Sequence, residues 1–144
     1  MQKKSIKNQI HNNLVAIISL SVAISALSYN TWRNEKTERN RNIRPAAFEI
    51  LKELGQLQLI VNNVRYGTEH SKLIDPILGW GHISFLSDLS QLLPQPIPTQ
   101  MSKLVQVWQN DWEKIRTNEA SADKITLKID DSRSMVLNQL KTLK

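Results

Sequence analysis

Apolar residues fall in two regimes along this chain. From Leu14 to Ser28 they run nearly unbroken, LVAIISLSVAISALS, and from Asn8 to Trp32 there are 25 consecutive residues without Lys, Arg, Asp or Glu. At about 1.5 Å per helical residue that stretch reaches roughly 37 Å, enough to cross a hydrocarbon core of about 30 Å. From Pro45 onward the apolar positions recur every three or four residues, the spacing of helices that bury one stripe. Ala47, Ile50, Leu54, Leu57, Val61 and Val64 form the first seam, widened by Phe48, Leu51 and Ile60 and stopped at Gly67. Asp75 as N-cap with Pro76 at the first helical position starts the second helix. Its expected apolar face is Leu78, Phe85, Leu89 and Leu92, with Ile77, Leu86 and Leu93 beside them, and its end lies near Leu93, before Pro94, Pro96 and Pro98.

Thr99 is the expected cap of a third helix carrying Met101, Leu104, Val105, Trp108, Trp112 and Ile115 and ending near Asn118. Ser121 opens the fourth, whose stripe is Ile125, Ile129, Val136, Leu140 and Leu143. Gly79 and Gly81 each weaken the second helix by up to about 1 kcal/mol relative to Ala, a cost that implies close approach of another backbone. No window alternates polar and apolar residues long enough for a strand. The expected fold class is therefore all-α: a single N-terminal transmembrane helix that continues or kinks at Pro45 into a three- to four-helix antiparallel bundle. The expected segments are a basic tail over 1–13, an anchor over 14–32, a charged juxtamembrane helical linker over 33–44 and a bundle domain over 45–144.

Charge supports that division. The net +6 lies entirely in residues 1–44, which hold eight basic and two acidic residues, while 45–144 hold eleven of each. Positive charge flanking an apolar segment suits anionic lipid headgroups, and a neutral domain lacks the basic face that nucleic-acid binding needs. Tyr29 and Trp32 sit where an aromatic belt lies, with Arg33, Arg39, Arg41 and Arg44 following as membrane-interface residues. The rival reading is a secretory signal with Lys3, Lys4 and Lys7 as its basic region and Ala26-Leu27-Ser28 as a small-x-small cleavage site. Against it, Asn30 to Arg44 is helix-compatible, with Glu35 and Arg39 in favourable i,i+4 order. Three lysines before the segment resist crossing, whereas a domain of about 100 residues translocates largely regardless of charge. That points to a bacterial inner-membrane protein with an exported C-terminal domain. Ser19/Ala23 and Ser21/Ser25 are small pairs at a spacing compatible with a homo-oligomer, but small residues are common in such segments and the anchor serines can bond back to their own helix carbonyls, which is the stronger reading.

Candidate chemistry is sparse. The chain has no cysteine and three histidines. His11 falls in the membrane flank and His70 beside Glu69 in a polar loop, and no Glu-x-x-His bundle signature accompanies either, so no metal or other cofactor is expected. His82 reads as a hydrogen-bonded packing residue. The adjacent acids Asp130 and Asp131 read as a solvated face, since neighbours on a helix point apart; Asp111 with Glu113 is a second acidic pair. His82, Trp80, Trp108 and Trp112 are the candidate lining of a ligand pocket between helices. The expected function is a non-enzymatic module at the bilayer that takes a protein partner or small ligand. The alternatives are a secreted bundle released near Ser28 and an enzyme pairing His82 with an acid from another helix. In architecture alone the layout resembles bacterial sensory proteins that carry a helical domain beside a membrane segment.

Overall fold

The computed structural model describes residues 13–67 and 74–143, apart from the side chain of Arg39. Lys3, Lys4, Lys7, His11, Glu69 and His70 lie outside the described residues. Among the described residues the chain is all-α, with four α-helices and no strand. They are α1 (Leu14–Tyr66), α2 (Gly79–Ser90), α3 (Ile97–Asp111) and α4 (Glu119–Thr142), with 3-10 turns at Pro76–Leu78 and Trp112–Lys114. Two compact units divide the chain, Met1–Arg39 and Asn40–Lys144.

In the first unit residues 14–38 are helical and exposed. The hydroxyls of Ser21 and Ser25 donate to the carbonyls of Ile17 and Ser21 at 2.9 and 2.8 Å, and Thr31 donates to Leu27 at 3.0 Å. Each is an i,i−4 bond within the helix, so those polar groups need no outside partner.

Pro45 does not begin a helix of its own: it lies inside α1. Its ring leaves the Arg41 carbonyl without an intrahelical donor, on a stretch where Arg41, Arg44 and Pro45 are exposed and water can serve instead. In the second unit the seam begins one turn earlier than its pattern implied, at Ile43, and then buries Ala47, Ile50, Leu54, Leu57, Val61 and Val64. The α1 helix stops at Tyr66, and the Gly67 amide donates to the Asn63 carbonyl at 3.0 Å. No described glycine has a positive φ, so Gly67 ends the helix without the left-handed turn its type permits.

Cross-helix contacts define the bundle. Arg44 donates to the Leu143 carbonyl, Gln58 to Thr126 and Arg65 to Glu119, so α4 runs antiparallel to α1. Gln100 to Ser132 and Ser121 to Asp111 set the same relation between α3 and α4. His82 on α2 meets Glu53 on α1, and Gly79 and Trp80 on α2 meet Trp108 on α3 and Trp112 just beyond it. Each helix thus has two neighbours around one core, the arrangement that short connections favour.

Several boundaries differ from expectation for identifiable reasons. Thr99 is not a cap: α3 begins at Ile97, and the Thr99 hydroxyl bonds the Gln95 side chain at 2.8 Å. The third helix ends at Asp111 rather than near Asn118, tightening into the Trp112–Lys114 turn. Asn118 is the N-cap of α4, accepting from the Ser121 amide, so the fourth helix starts before Ser121. The Ser121 hydroxyl instead donates to Asp111 at 2.7 Å, joining the two ends of the α3–α4 connection in a buried bond. The α2 helix ends at Ser90, and successive turns carry the chain to Leu93. Asp75 does cap as expected, accepting from the Ile77 amide at 2.9 Å, but it caps the 3-10 turn that leads into α2.

The largest correction concerns the face of α2. Leu78, Phe85 and Leu92 remain 59, 44 and 64% exposed, and Ile77 is exposed as well. Of the expected residues Leu86 and Leu93 are buried and Leu89 packs against the core, and Gly79, Ile83 and Ser90 complete the buried face in place of Leu78, Phe85 and Leu92. This helix has apolar residues on two faces, and its fit against α3 selects between them. An alanine Cβ at Gly79 overlaps the six-membered ring of Trp108, while Gly81 has nothing near it. What comes close is therefore an indole, not another backbone. Fully burying an aromatic of this size removes roughly 150–250 Å² from water, worth about 4–6 kcal/mol at about 25 cal/mol per Å². That outweighs the cost of about 1 kcal/mol for a helical glycine.

Candidate functional site

The four side chains expected to line one pocket are placed in three surroundings. Trp108 is fully buried, its ring against Gly79 and its Nε1 without a hydrogen-bond partner. Trp80 and Trp112 are half-buried and meet edge to face, with ring centroids 6.3 Å apart and planes at 76°. His82 turns to α1, where its Nδ1 lies 2.6 Å from Glu53 Oε2. Trp108 and Trp112 stay one helical turn apart, the Trp112 amide donating to the Trp108 carbonyl, but Trp108 is buried against Gly79 while Trp112, at the end of the helix, is half-buried beside Trp80.

Glu53 is the residue that spacing alone did not single out. It flanks the seam between Ile50 and Leu54, and its side chain is only 15% exposed. An ionised carboxylate only accepts, so the bond requires a proton on His82 Nδ1. That fixes the ring's orientation and leaves Nε2 as its other polar atom. Close by, Lys52 pairs with Glu49 at 2.8 Å, and its ammonium pKa is raised by that hydrogen bond and the Glu49 charge, with Glu53 adding to it. An imidazole–carboxylate pair can position a base, but neither residue lines either of the two clefts described below. Its evident work is to tie α2 to α1. Glu53→Ala is expected to lower stability by about 1–3 kcal/mol, because it leaves a half-buried imidazole without its charged partner. His82→Gln, which keeps a donor, is expected to cost less. Thermal unfolding of the two variants side by side checks the order.

The acidic pairs also separate. Asp130 bonds Arg133 at 3.0 Å and Asp131 bonds Lys128 at 2.9 Å, ordinary i,i+3 surface pairs. Asp111 is 8% exposed and accepts from Ser121, so it is a structural acid rather than a member of a solvated pair. No group of three or more metal-ligating side chains forms among the described residues.

One cleft, of about 520 Å³, lies between the start of α3 and the last turns of α4. Ile97, Met135 and the carboxamides of Gln100, Asn138 and Gln139 line it, together with Asp131, which Lys128 already neutralises. Another, of about 210 Å³, lies between α2 and α3 and is lined by Trp80 alone of the four expected residues.

Of the expected interface residues, Tyr29 and Trp32 are exposed with ring centroids 6.2 Å apart, and Lys36 Nζ stands 5.5 Å from the Trp32 ring. Arg33 and Arg41 are exposed, and Arg39's side chain lies outside the described residues. Arg44 donates to the Leu143 carbonyl at 2.9 Å, where a cation also complements the C-terminal end of α4. Compared with known proteins, the chain matches no family model, no curated protein and no solved structure.

Proposed function

We propose that this protein is a single-pass membrane-anchored helical bundle whose domain serves as a non-enzymatic interaction or ligand-sensing module at the bilayer. The observation that carries the reading is the bareness of the apolar window: none of its described residues is buried. Leu14, Val15, Ile17, Ile18, Leu20, Val22, Ile24 and Leu27 are all between 45 and 78% exposed. A core helix in a soluble protein buries such a run, and a bilayer removes it from water just as well. The internally bonded serines fit lipid, where unsatisfied polar groups are costly. Exposed Tyr29 and Trp32 followed by Arg33 and Arg41 fit the aromatic and cationic border of a spanning segment.

Glu53 and His82 line neither the α3–α4 cleft nor the α2–α3 cleft, which favours binding over catalysis at those two clefts. The exported orientation of the domain rests on the short lysine-bearing tail resisting crossing while a domain of about 100 residues translocates largely regardless of charge, since the basic residues on the two sides of the segment are nearly balanced.

Fractionation tests the anchor. The chain is expected in carbonate-washed membranes with its Met1 peptide intact by mass spectrometry. A soluble chain beginning just after Ser28 would replace this reading with secretion. In spheroplasts, external protease is expected to digest the domain without lysis, and digestion only after lysis reverses the orientation.

A further inference from the structure

The smaller cleft has a composition that selects for one kind of ligand. Trp80, Ile83, Ser84, Ser87 and Asp88 of α2 and Val105 of α3 line it. Positions 80, 84 and 87/88 recur at three- and four-residue spacings and so share one helix face. The Trp80 indole is braced by the edge of Trp112. At the other end Asp88 is exposed, forms no ion pair among the described residues, and has no basic side chain beside it in the lining. The larger cleft differs on this point, because its carboxylate is already paired.

We propose that the cleft between α2 and α3 binds an alkylated ammonium group, with the Trp80 indole supplying a π surface and the Asp88 carboxylate the countercharge. Aromatic rings attract cations through their quadrupole, most strongly for Trp. Ile83 and Val105 give the alkyl groups apolar walls, and the two serine hydroxyls are available to a polar substituent. A bare divalent cation is poorly served, since it takes six or more oxygen ligands, and an anion is repelled by Asp88. The volume of about 210 Å³ suits a headgroup-sized ligand. The inference rests on reading the bundle as a binding module, but it does not depend on the anchor. Failed membrane retention leaves the cleft's chemistry standing, and failed binding leaves the anchor standing.

The test uses the full-length 15N-labelled chain in maltoside micelles, titrated with tetramethylammonium chloride against sodium chloride at equal ionic strength. Saturable shifts are expected at the Trp80 indole N–H and at the amides of Ser84, Ser87 and Val105. Choline is expected to bind alike, and its neutral carbon isostere, 3,3-dimethylbutanol, at least about 5-fold more weakly. Asp88→Asn changes an exposed side chain, so folding is preserved, and it is expected to weaken binding roughly 5- to 20-fold; Trp80→Leu is expected to weaken it at least as much. A free solute and a lipid headgroup present the same group. Tighter binding of a monomeric short-chain phosphocholine than of choline assigns the headgroup, and the reverse order assigns the solute. The proposal is overturned if tetramethylammonium gives no saturable shift up to about 100 mM, if Asp88→Asn titrates like the parent, or if the neutral isostere binds equally well.

Discussion

Trp108→Ala is expected to lower the unfolding free energy by about 3–5 kcal/mol, the cost of emptying a fully buried aromatic site. Domains of this kind have about 5–15 kcal/mol in total, so the loss removes a large share of the bundle's stability. Trp108 is fully buried, and its ring lies against the Gly79 backbone, which has no side chain to fill the space the indole leaves. Urea titration of the full chain in micelles, followed by helical circular dichroism, reads the change. Gly79 gives the sharper test. By propensity alone Gly79→Ala would stabilise α2 by up to about 1 kcal/mol. With Trp108 in place the added methyl meets the indole, and overpacking is expected to cost about 1–3 kcal/mol instead. In the Trp108→Ala background the sign is expected to reverse, leaving a large coupling energy between the two sites. A Gly79→Ala variant more stable than the parent would show that the indole does not press on that helix.

Ile18→Arg combined with Val22→Arg is expected to abolish membrane retention. Both positions lie in the bare apolar window and are more than half exposed. An arginine near the middle of a spanning helix costs about 2.5–3.5 kcal/mol on the insertion scale. Two therefore cost about 5–7 kcal/mol, and snorkelling to an interface recovers little from the centre. The double variant is expected in the soluble or degraded fraction, whereas Thr31→Arg, at the segment's edge, stays in the carbonate-washed pellet. Full retention of the double variant would mean that this stretch does not hold the chain in the bilayer.

Much of the fold was legible before any coordinates because helix periodicity is local. The α1 seam from Ala47 to Val64, the Asp75 start signal and the buried Ile125, Ile129 and Val136 of α4 all follow from spacing and capping chemistry. The errors fall where two local signals competed. Thr99 and Ser121 both look like caps, but Ile97 is drawn into the core a turn earlier and Ser121 finds Asp111. Ser132, which stands in the buried stripe of α4, shows the same thing. Its hydroxyl is buried, bonds back to Lys128 and accepts from Gln100, so a polar residue holds a core position.

By itself, the sequence determined that the chain is helical, where its apolar run lies and that all its excess charge brackets that run. These are properties of near neighbours along one chain, fixed by periodicity and by the cost of placing charge beside hydrocarbon. Only the tertiary structure decided which of the two apolar faces α2 buries, that Gly79 makes room for Trp108, that Glu53 is the partner of His82, and that Trp80 and Asp88 share a cleft. Each depends on which side chain a neighbouring helix presents at a given height, and no spacing within a single helix specifies that.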